Sequence, residues 1–325
     1  MNRWPLRALS VLILIISTYR VSLVIPCGRM NNGDDYSVLM NISQLGINPK
    51  ETKPHRAYLN SNILIDGDCT DTCHSILSKT SRPIRLTHSA SMTINNMTTI
   101  ENKTLILNEN LVVNSTGSLI LKNATIYFNL SYDLQYGIDV YGNLTVLDSK
   151  ISSLNTSCRY FFKAFSEAKL LIKDSEIRHV GIEQYESLED AGIYISTKNA
   201  RIENTTISHC YTGIILHECN NVTVKDNRIH NCTICCDVWK ASMNLVANNE
   251  IAHAKYGIML EETDDIMVYN NSISDSYIGI YLYMSNNNTI MDNRQTNSGG
   301  IFVSFSLNNT IVNNLINGRP IVYLA

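Results

Sequence analysis

Nine residues, each Asn or Asp, recur along the C-terminal two thirds of the chain at a spacing that only a stacked repeat produces. They are Asn123, Asp148, Asp174, Asn204, Asp226, Asn248, Asn270, Asp292 and Asn313, separated by 25, 26, 30, 22, 22, 22, 22 and 21 residues. Two residues before each stands an aliphatic side chain: Leu121, Val146, Ile172, Ile202, Val224, Val246, Val268, Ile290 and Ile311. Three residues after stand Ile126, Ile151, Ile177, Ile207, Ile229, Ile251, Ile273, then Gln295 as the one exception, then Ile316. A unit this short cannot bury its apolar face alone, so the units must stack on one another and share a core.

Each unit carries a second strand of the form Gly-Ile-x-aliphatic, beginning at Gly137, Gly192, Gly213, Gly257, Gly279 and Gly300. Cys235-Cys236-Asp237-Val238 fills the slot between Gly213 and Gly257. Apolar residues alternate with period two, as in half-buried strands. The period is too short for a propeller blade, and helical i, i+3, i+4 stripes and leucine-rich frames are missing. The pattern predicts an all-β chain, a single-stranded right-handed parallel β-helix of about 9–10 coils with three short strands per coil. Asn and Asp suit its corners because they tolerate the left-handed backbone region and can hydrogen-bond nearby backbone groups. One unit swells to 30 residues, and its surplus, residues 183–190, reads as a loop thrown out at a corner.

The flanks bound the setting. Residues 1–25 combine Arg3 and Arg7 with an apolar run from Ala8 to Ile16, a signal peptide or N-terminal anchor. Residues 26–95 lack the repeat and read as a variable segment and cap, leaving 96–325 for the β-helix. Fourteen Asn-x-Ser/Thr sites agree with export, and those at Asn123, Asn204 and Asn270 are expected to be buried in the ladder. Nine cysteines suit an oxidising compartment. Cys69 and Cys73 could close a small disulfide loop. Cys210 and Cys232 lie one repeat apart and could form either a coil-to-coil disulfide or a pair of stacked thiols. The net charge of −3, without a basic face, argues against nucleic acid as partner. The membrane is reached, if at all, only through the N-terminal segment.

The repeat Val268-Tyr269-Asn270-Asn271-Ser272-Ile273, followed by Gly279-Ile280-Tyr281-Leu282-Tyr283, resembles right-handed parallel β-helix repeats of the pectin-lyase-like superfamily. In particular it is similar to the NosD-like, carbohydrate-binding and sugar-hydrolase type repeats of archaeal and bacterial surface proteins. Asn317-Gly318-Arg319-Pro320-Ile321 also resembles the closing segment of such domains. The resemblance covers about residues 95–323 and implies the fold; one scaffold of this kind serves lyases, hydrolases, epimerases, adhesins and metallochaperone accessories. The three-aspartate signature of polygalacturonase-type hydrolases is not met by Asp264-Asp265. Pectate-lyase-type sites need calcium-binding aspartates beside an Arg, which the Gly-Ile face lacks.

Two outward columns on the Gly-Ile strands carry the candidate chemistry. One reads Asp139, Tyr194, Ile215, Asp237, Met259, Tyr281, Phe302, and the other Tyr141, Ser196, His217, Trp239, Glu261, Tyr283, Ser304. Aromatic faces suit sugar rings and carboxylates accept their hydroxyls, so Tyr194, Trp239, Tyr281, Tyr283 and Phe302 are candidate carbohydrate-binding residues. Ordinary β-formers on an exposed sheet would look the same. Asp237 and Glu261 fall diagonally on adjacent coils, roughly 6–9 Å apart, near the spacing of an inverting carboxylate pair. With His217 they form the candidate acid/base set.

The NosD likeness brings copper into view. His179, His209, Cys210 and Cys232 are the candidate soft-metal ligands, although zinc-finger spacing is missing and turn or core roles suit the same residues. Asp66-Gly67-Asp68-Cys69-Thr70-Asp71 resembles the start of a calcium loop without its closing Glu. No cofactor is required by any of this; calcium or copper is possible.

The functional expectation is an exported, secreted or cell-surface β-helix that binds polysaccharide or cell-envelope glycan, or serves as an adhesive component, without catalysis. The alternatives are a secreted polysaccharide hydrolase or lyase and a copper-handling accessory. Open strand edges at the last coil predict either a short cap over 317–325 or end-to-end self-association.

Overall fold

In the computed structural model, residues 91–183, 187–198 and 200–321 are described, with the backbone of five short strands ahead of them. Outside those strands, the signal or anchor segment, residues 67–71 with Cys69, Cys73, and residues 322–325 lie outside the described residues. From Met97 to Val312, ten parallel strands stack into one sheet, one per coil. The aliphatic column sits on itself: Val224 pairs with Val246 and Val246 with Val268. A second ladder carries Ile207, Ile229, Ile251, Ile273, Gln295 and Ile316 in register. Both columns are buried over most of their length, and they form the long axis of a continuous apolar core. The chain is a β-solenoid of about ten turns.

Early coils have the three short strands expected, for example Ser118–Lys122, Thr125–Phe128 and Gly137–Val140. In three later coils the second and third strands run together as Arg228–Trp239, Glu250–Glu261 and Ser272–Tyr283, each 12 residues long. These bend at Asn231, Asp275 and His253, whose φ values are 55°, 50° and 56°.

All nine repeat Asn/Asp residues occupy the left-handed region, with φ between 46° and 59°. Each is a corner, and the amides of the first eight donate to the next coil, as Asn248 N–H does to the Tyr269 carbonyl at 3.0 Å. The expectation that Asn123, Asn204 and Asn270 are buried is corrected, because all three are exposed. The buried amides belong to the residue after the corner. Asn227, Asn249, Asn271, Asn293 and Asn314 are almost fully enclosed, and each side-chain carbonyl accepts the backbone N–H of the residue one coil earlier at 2.9–3.0 Å. Their Nδ2 groups donate to Ile202, Val224, Val246, Val268 and Ile290 carbonyls. In earlier coils Ser149, Ser175 and Thr205 fill this position, and their hydroxyls accept from Ala124, Ser149 and Ser175 amides. A buried corner must pair its backbone groups, and this column does so from within.

Another corner column holds Glu218, Lys240, Glu262, Met284 and Phe305, all at φ near 50°. These are poor left-handed residues, at about 1–2 kcal/mol each, so the stacked register overrides local preference there. At the C-terminal end the chain turns back through Asn317 and Gly318, and Arg319–Pro320 pairs antiparallel with Leu315–Ile316.

Candidate functional site

The third strands of successive coils build one sheet whose outer face carries both predicted columns. Register places Asp139, Lys163, Tyr194, Ile215, Asp237, Met259, Tyr281 and Phe302 in one line. Lys163 belongs to this line and escaped the sequence pattern because its strand, Phe161–Ala164, lacks the Gly-Ile form. Beside it His217, Trp239, Glu261, Tyr283 and Ser304 form the second line. Asp237 thus lies diagonal to His217 on the coil before it and to Glu261 on the coil after.

The face divides into a covered half and an open half. Of the long coil's surplus, expected as a loop thrown out at a corner, the described residues 187–190 pack against this sheet. The Ile182 N–H donates to the Asp190 carbonyl at 3.0 Å, closing the neck of the loop. A 3-10 turn, Leu188–Asp190, then reaches Lys163, whose ammonium pairs with Asp190 at 2.8 Å and Glu189 at 3.6 Å. Leu188 and Tyr211 pack against a separate apolar cluster of Ala191, Tyr194 and Ile215. Exposure along the line falls toward the turn: 55% at Phe302, intermediate at Tyr281 and Met259, 4% at Asp237, 0% at Ile215 and 5% at Tyr194. Tyr194, expected to be an accessible sugar-binding residue, is therefore under the loop. Its hydroxyl meets His217 Nδ1 at 2.8 Å.

The open half is aromatic. Tyr281 is centred 5.6 Å from Phe302, 5.9 Å from Tyr256 and 6.4 Å from Tyr283, and Tyr283 meets Phe305 edge-on at 5.9 Å. Trp239, separated from this group by Glu261 in the second line, meets His217 with ring centroids 5.0 Å apart, and Lys240 lies over its indole at 4.9 Å. Tyr256 and Phe305 were not singled out from sequence. Tyr256 precedes the Gly-Ile frame and Phe305 sits at a corner, so period-two alternation does not reach them.

Carboxyls at the boundary are unusual acids. Burial, and then the neighbouring Glu261 charge, push Asp237 up to about 8, and its Oδ1 has no hydrogen-bond partner. Glu261 is also raised, by burial and then Glu262. Burial lowers His217, with Glu218 opposing. Burial and the Glu261 charge therefore favour the protonated form of Asp237, which lies diagonal to a second carboxyl and an imidazole.

The four candidate metal ligands do not converge. His179 and His209 occupy an outer corner at φ 62° and 59°, their rings 5.6 Å apart. Cys210 and Cys232 point into the core as free thiols. Of the two alternatives for that pair, stacked thiols are present, and burial and then the Cys232 contact hold Cys210 well above the ordinary thiol range. Burial, then His209, Arg159, Arg178 and Lys150, depress His179 to about 4. No group of three or more His, Cys, Asp or Glu residues suited to a metal ion occurs among the described residues.

Residues 151–324 match the family described as periplasmic copper-binding protein (NosD). The match spans 174 of 325 residues. This chain belongs to the NosD family. Among solved structures, it is similar to a mutant of the periplasmic alginate epimerase AlgG, with TM-score 0.57 and 14% identity over 78% of this chain and 70% of that one. The enzymatically active domain of bacteriophage CBA120 tailspike protein 2 aligns with TM-score 0.49 and 11% identity over 91% of this chain and 59% of that chain. The first likeness shows a shared fold and nothing finer. No curated protein matches. The copper in the family's description is not met by the described residues: the imidazoles stand among cations on the surface and the thiols are enclosed behind them.

Proposed function

We propose that this is an exported β-helix protein that binds polysaccharide on the outer face of its third sheet. The observation that carries the reading is the aromatic cluster of Tyr256, Tyr281, Tyr283, Phe302 and Phe305, which spans consecutive coils and stays open to solvent beside two carboxyls. Tilted rings one coil apart offer apolar surface to successive sugars, while Glu261 and Trp239 beyond them supply a carboxyl and an indole N–H. The family's periplasmic description supports export, and so do the apolar leader and the many glycosylation sequons. An adhesive or envelope role at a cell surface would use the same face.

One observation favours a second reading, polysaccharide cleavage. Burial favours the protonated form of Asp237, while Glu261 on the next coil supplies a second carboxyl. A protonated acid and a base on one face are what glycosidic hydrolysis needs.

Glycan-array binding by the full chain, paired with a reducing-sugar assay on every glycan bound, tests both. Tyr281→Ala and Phe302→Ala are each expected to weaken binding about 5-fold, the value of one aromatic stack of about 1 kcal/mol. Unchanged binding in the double variant would remove the aromatic face from the account. Product release that disappears in Asp237→Ala and Glu261→Ala would replace binding by hydrolysis.

A further inference from the structure

The sugar-binding face is closed at one end. Along a single column of outward side chains, Phe302 is exposed, Tyr281 and Met259 are half-buried, Asp237 is enclosed, and the line then passes under the Leu188–Asp190 turn. Tyr194 and Ile215 beneath that turn are packed against Leu188 and Tyr211, and Lys163 anchors it from below through Asp190 and Glu189. A chain lying along the solenoid axis can therefore run over Phe302 and Tyr281 but cannot continue past Ile215.

At the point where the column goes under the roof sits Asp237. Its side chain points away from the core, since its neighbours Cys236 and Val238 point inward, yet it is enclosed and one of its oxygens has no partner. An enclosed polar atom without a partner costs about 1–3 kcal/mol, and such groups in native proteins call for a ligand or water. Met259 is the next residue of the same column. It is unbranched and adaptable, the kind of side chain that yields to an incoming group.

We infer that the face recognises the end of a glycan chain, the terminal sugar abutting the Leu188–Asp190 turn and hydrogen-bonding Asp237 while preceding sugars lie on Tyr281 and Phe302. This rests on the polysaccharide-binding reading above and adds which part of the polymer is bound. Long internal stretches are excluded because the roof would clash with the next sugar in line. The loop, present in one coil alone, is then the device that turns a lengthwise groove into a terminal site.

The test uses linear hexasaccharides of glucose, xylose, mannose and uronic acid with the full-length protein. Each is presented free, coupled to beads through its reducing end, and capped at the non-reducing sugar by a 4,6-O-ethylidene group or, for xylose and uronic acid, a 4-O-methyl group. One of the two end modifications is expected to lower affinity at least 10-fold and the other to leave it within twofold. In a variant with residues 183–190 replaced by Gly-Ser-Gly that difference should vanish and longer polymers should bind. Lys163→Met, a milder change that releases Asp190 and Glu189, should shrink it several-fold. Cooperative thermal unfolding of each variant establishes that it is folded, and if the loop replacement is not, the two end modifications on the natural chain decide. Equal binding of free, coupled and capped forms would overturn end recognition while leaving polysaccharide binding in place. Failure of every hexasaccharide to bind at millimolar concentration would overturn both.

Discussion

Replacing Asn249 by Ala should cost far more than replacing its neighbour Asn248, although both are asparagines of the same corner. Asn249 Oδ1 accepts the Asn227 backbone N–H at 3.0 Å and its Nδ2 at 3.1 Å, and Asn249 Nδ2 donates to the Val224 carbonyl at 3.0 Å. Truncation leaves the Asn227 amide enclosed without an acceptor and removes the Val224 bond. At about 1–3 kcal/mol for the stranded donor and about 1 kcal/mol for each bond lost, the sum is roughly 3–5 kcal/mol. Asn248 is only partly buried at φ 55°, and its side-chain amide bonds, donating to Asp226 Oδ1 at 3.0 Å and accepting from Asn270 Nδ2 at 2.9 Å, are exposed, so water can replace them. Asn248→Ala should cost about 1–2 kcal/mol, the left-handed penalty, and Asn248→Gly close to nothing. Asn249→Ser should fall between, at about 1–2 kcal/mol, because a hydroxyl keeps the acceptor, as Ser175 does for the Ser149 amide at 3.1 Å. Urea titration followed by circular dichroism measures the totals. Solenoids need not unfold in one step, so hydrogen exchange at the Asn227 amide supplies the local readout. Equal losses at positions 248 and 249, or undiminished protection of the Asn227 amide in Asn249→Ala, would refute the internal ladder as the source of corner stability.

Asp237 is raised on folding, so its contribution favours the folded state fully below the unfolded value near 4 and is lost as pH climbs towards about 8. Asp237→Asn should therefore stabilise the protein increasingly across that window, by about 2–5 kcal/mol at pH 8, and a melting-temperature profile parallel to the natural chain would contradict it. His179 is lowered to about 4, so the unfolded chain takes up a proton first as pH falls from 6.5, and stability drops through that interval. His179→Asn, which also suits the φ of 62°, should remove part of this acid sensitivity when melting is followed from pH 7 to 4. Cys158, Cys210, Cys219, Cys232, Cys235 and Cys236 are buried thiols shielded from reagents, and burial raises Cys210, Cys219 and Cys236, which makes reactive thiolate scarce there. Iodoacetamide followed by peptide mass analysis should leave these six unmodified in the folded protein and label them in denaturant; rapid native labelling of Cys235 or Cys236 would place them at the surface.

The repeat columns were legible because stacking makes sequence period and space the same thing: an aliphatic residue every 22 positions is an aliphatic column. Corner geometry was legible for the same reason, as all nine repeat Asn/Asp residues have positive φ. Which asparagine is enclosed was not. Asn248 and Asn249 are adjacent and alike, and only the turn geometry decides that the second points inward. A signal was present in Asn227, Asn249, Asn271, Asn293 and Asn314, equally periodic and following the corner each time. The covered half of the binding face was invisible for a different reason. The loop that covers it breaks the period, and a repeat-based reading says nothing about where unrepeated residues go. Corners at Lys240, Met284 and Phe305 were missed because the register, not their own preference, places them in the left-handed region.

Because the side-chain amides from Asn227 to Asn314 reach only one coil ahead and one behind, no bond in that spine senses how many coils there are. A 22-residue segment could be cut out or duplicated between Asn249 and Asn271, and every cut end would find the partner it had before. The length of the molecule is thus a quantity evolution can count up or down in whole steps, lengthening the wall a ligand rests on without redesigning a single junction.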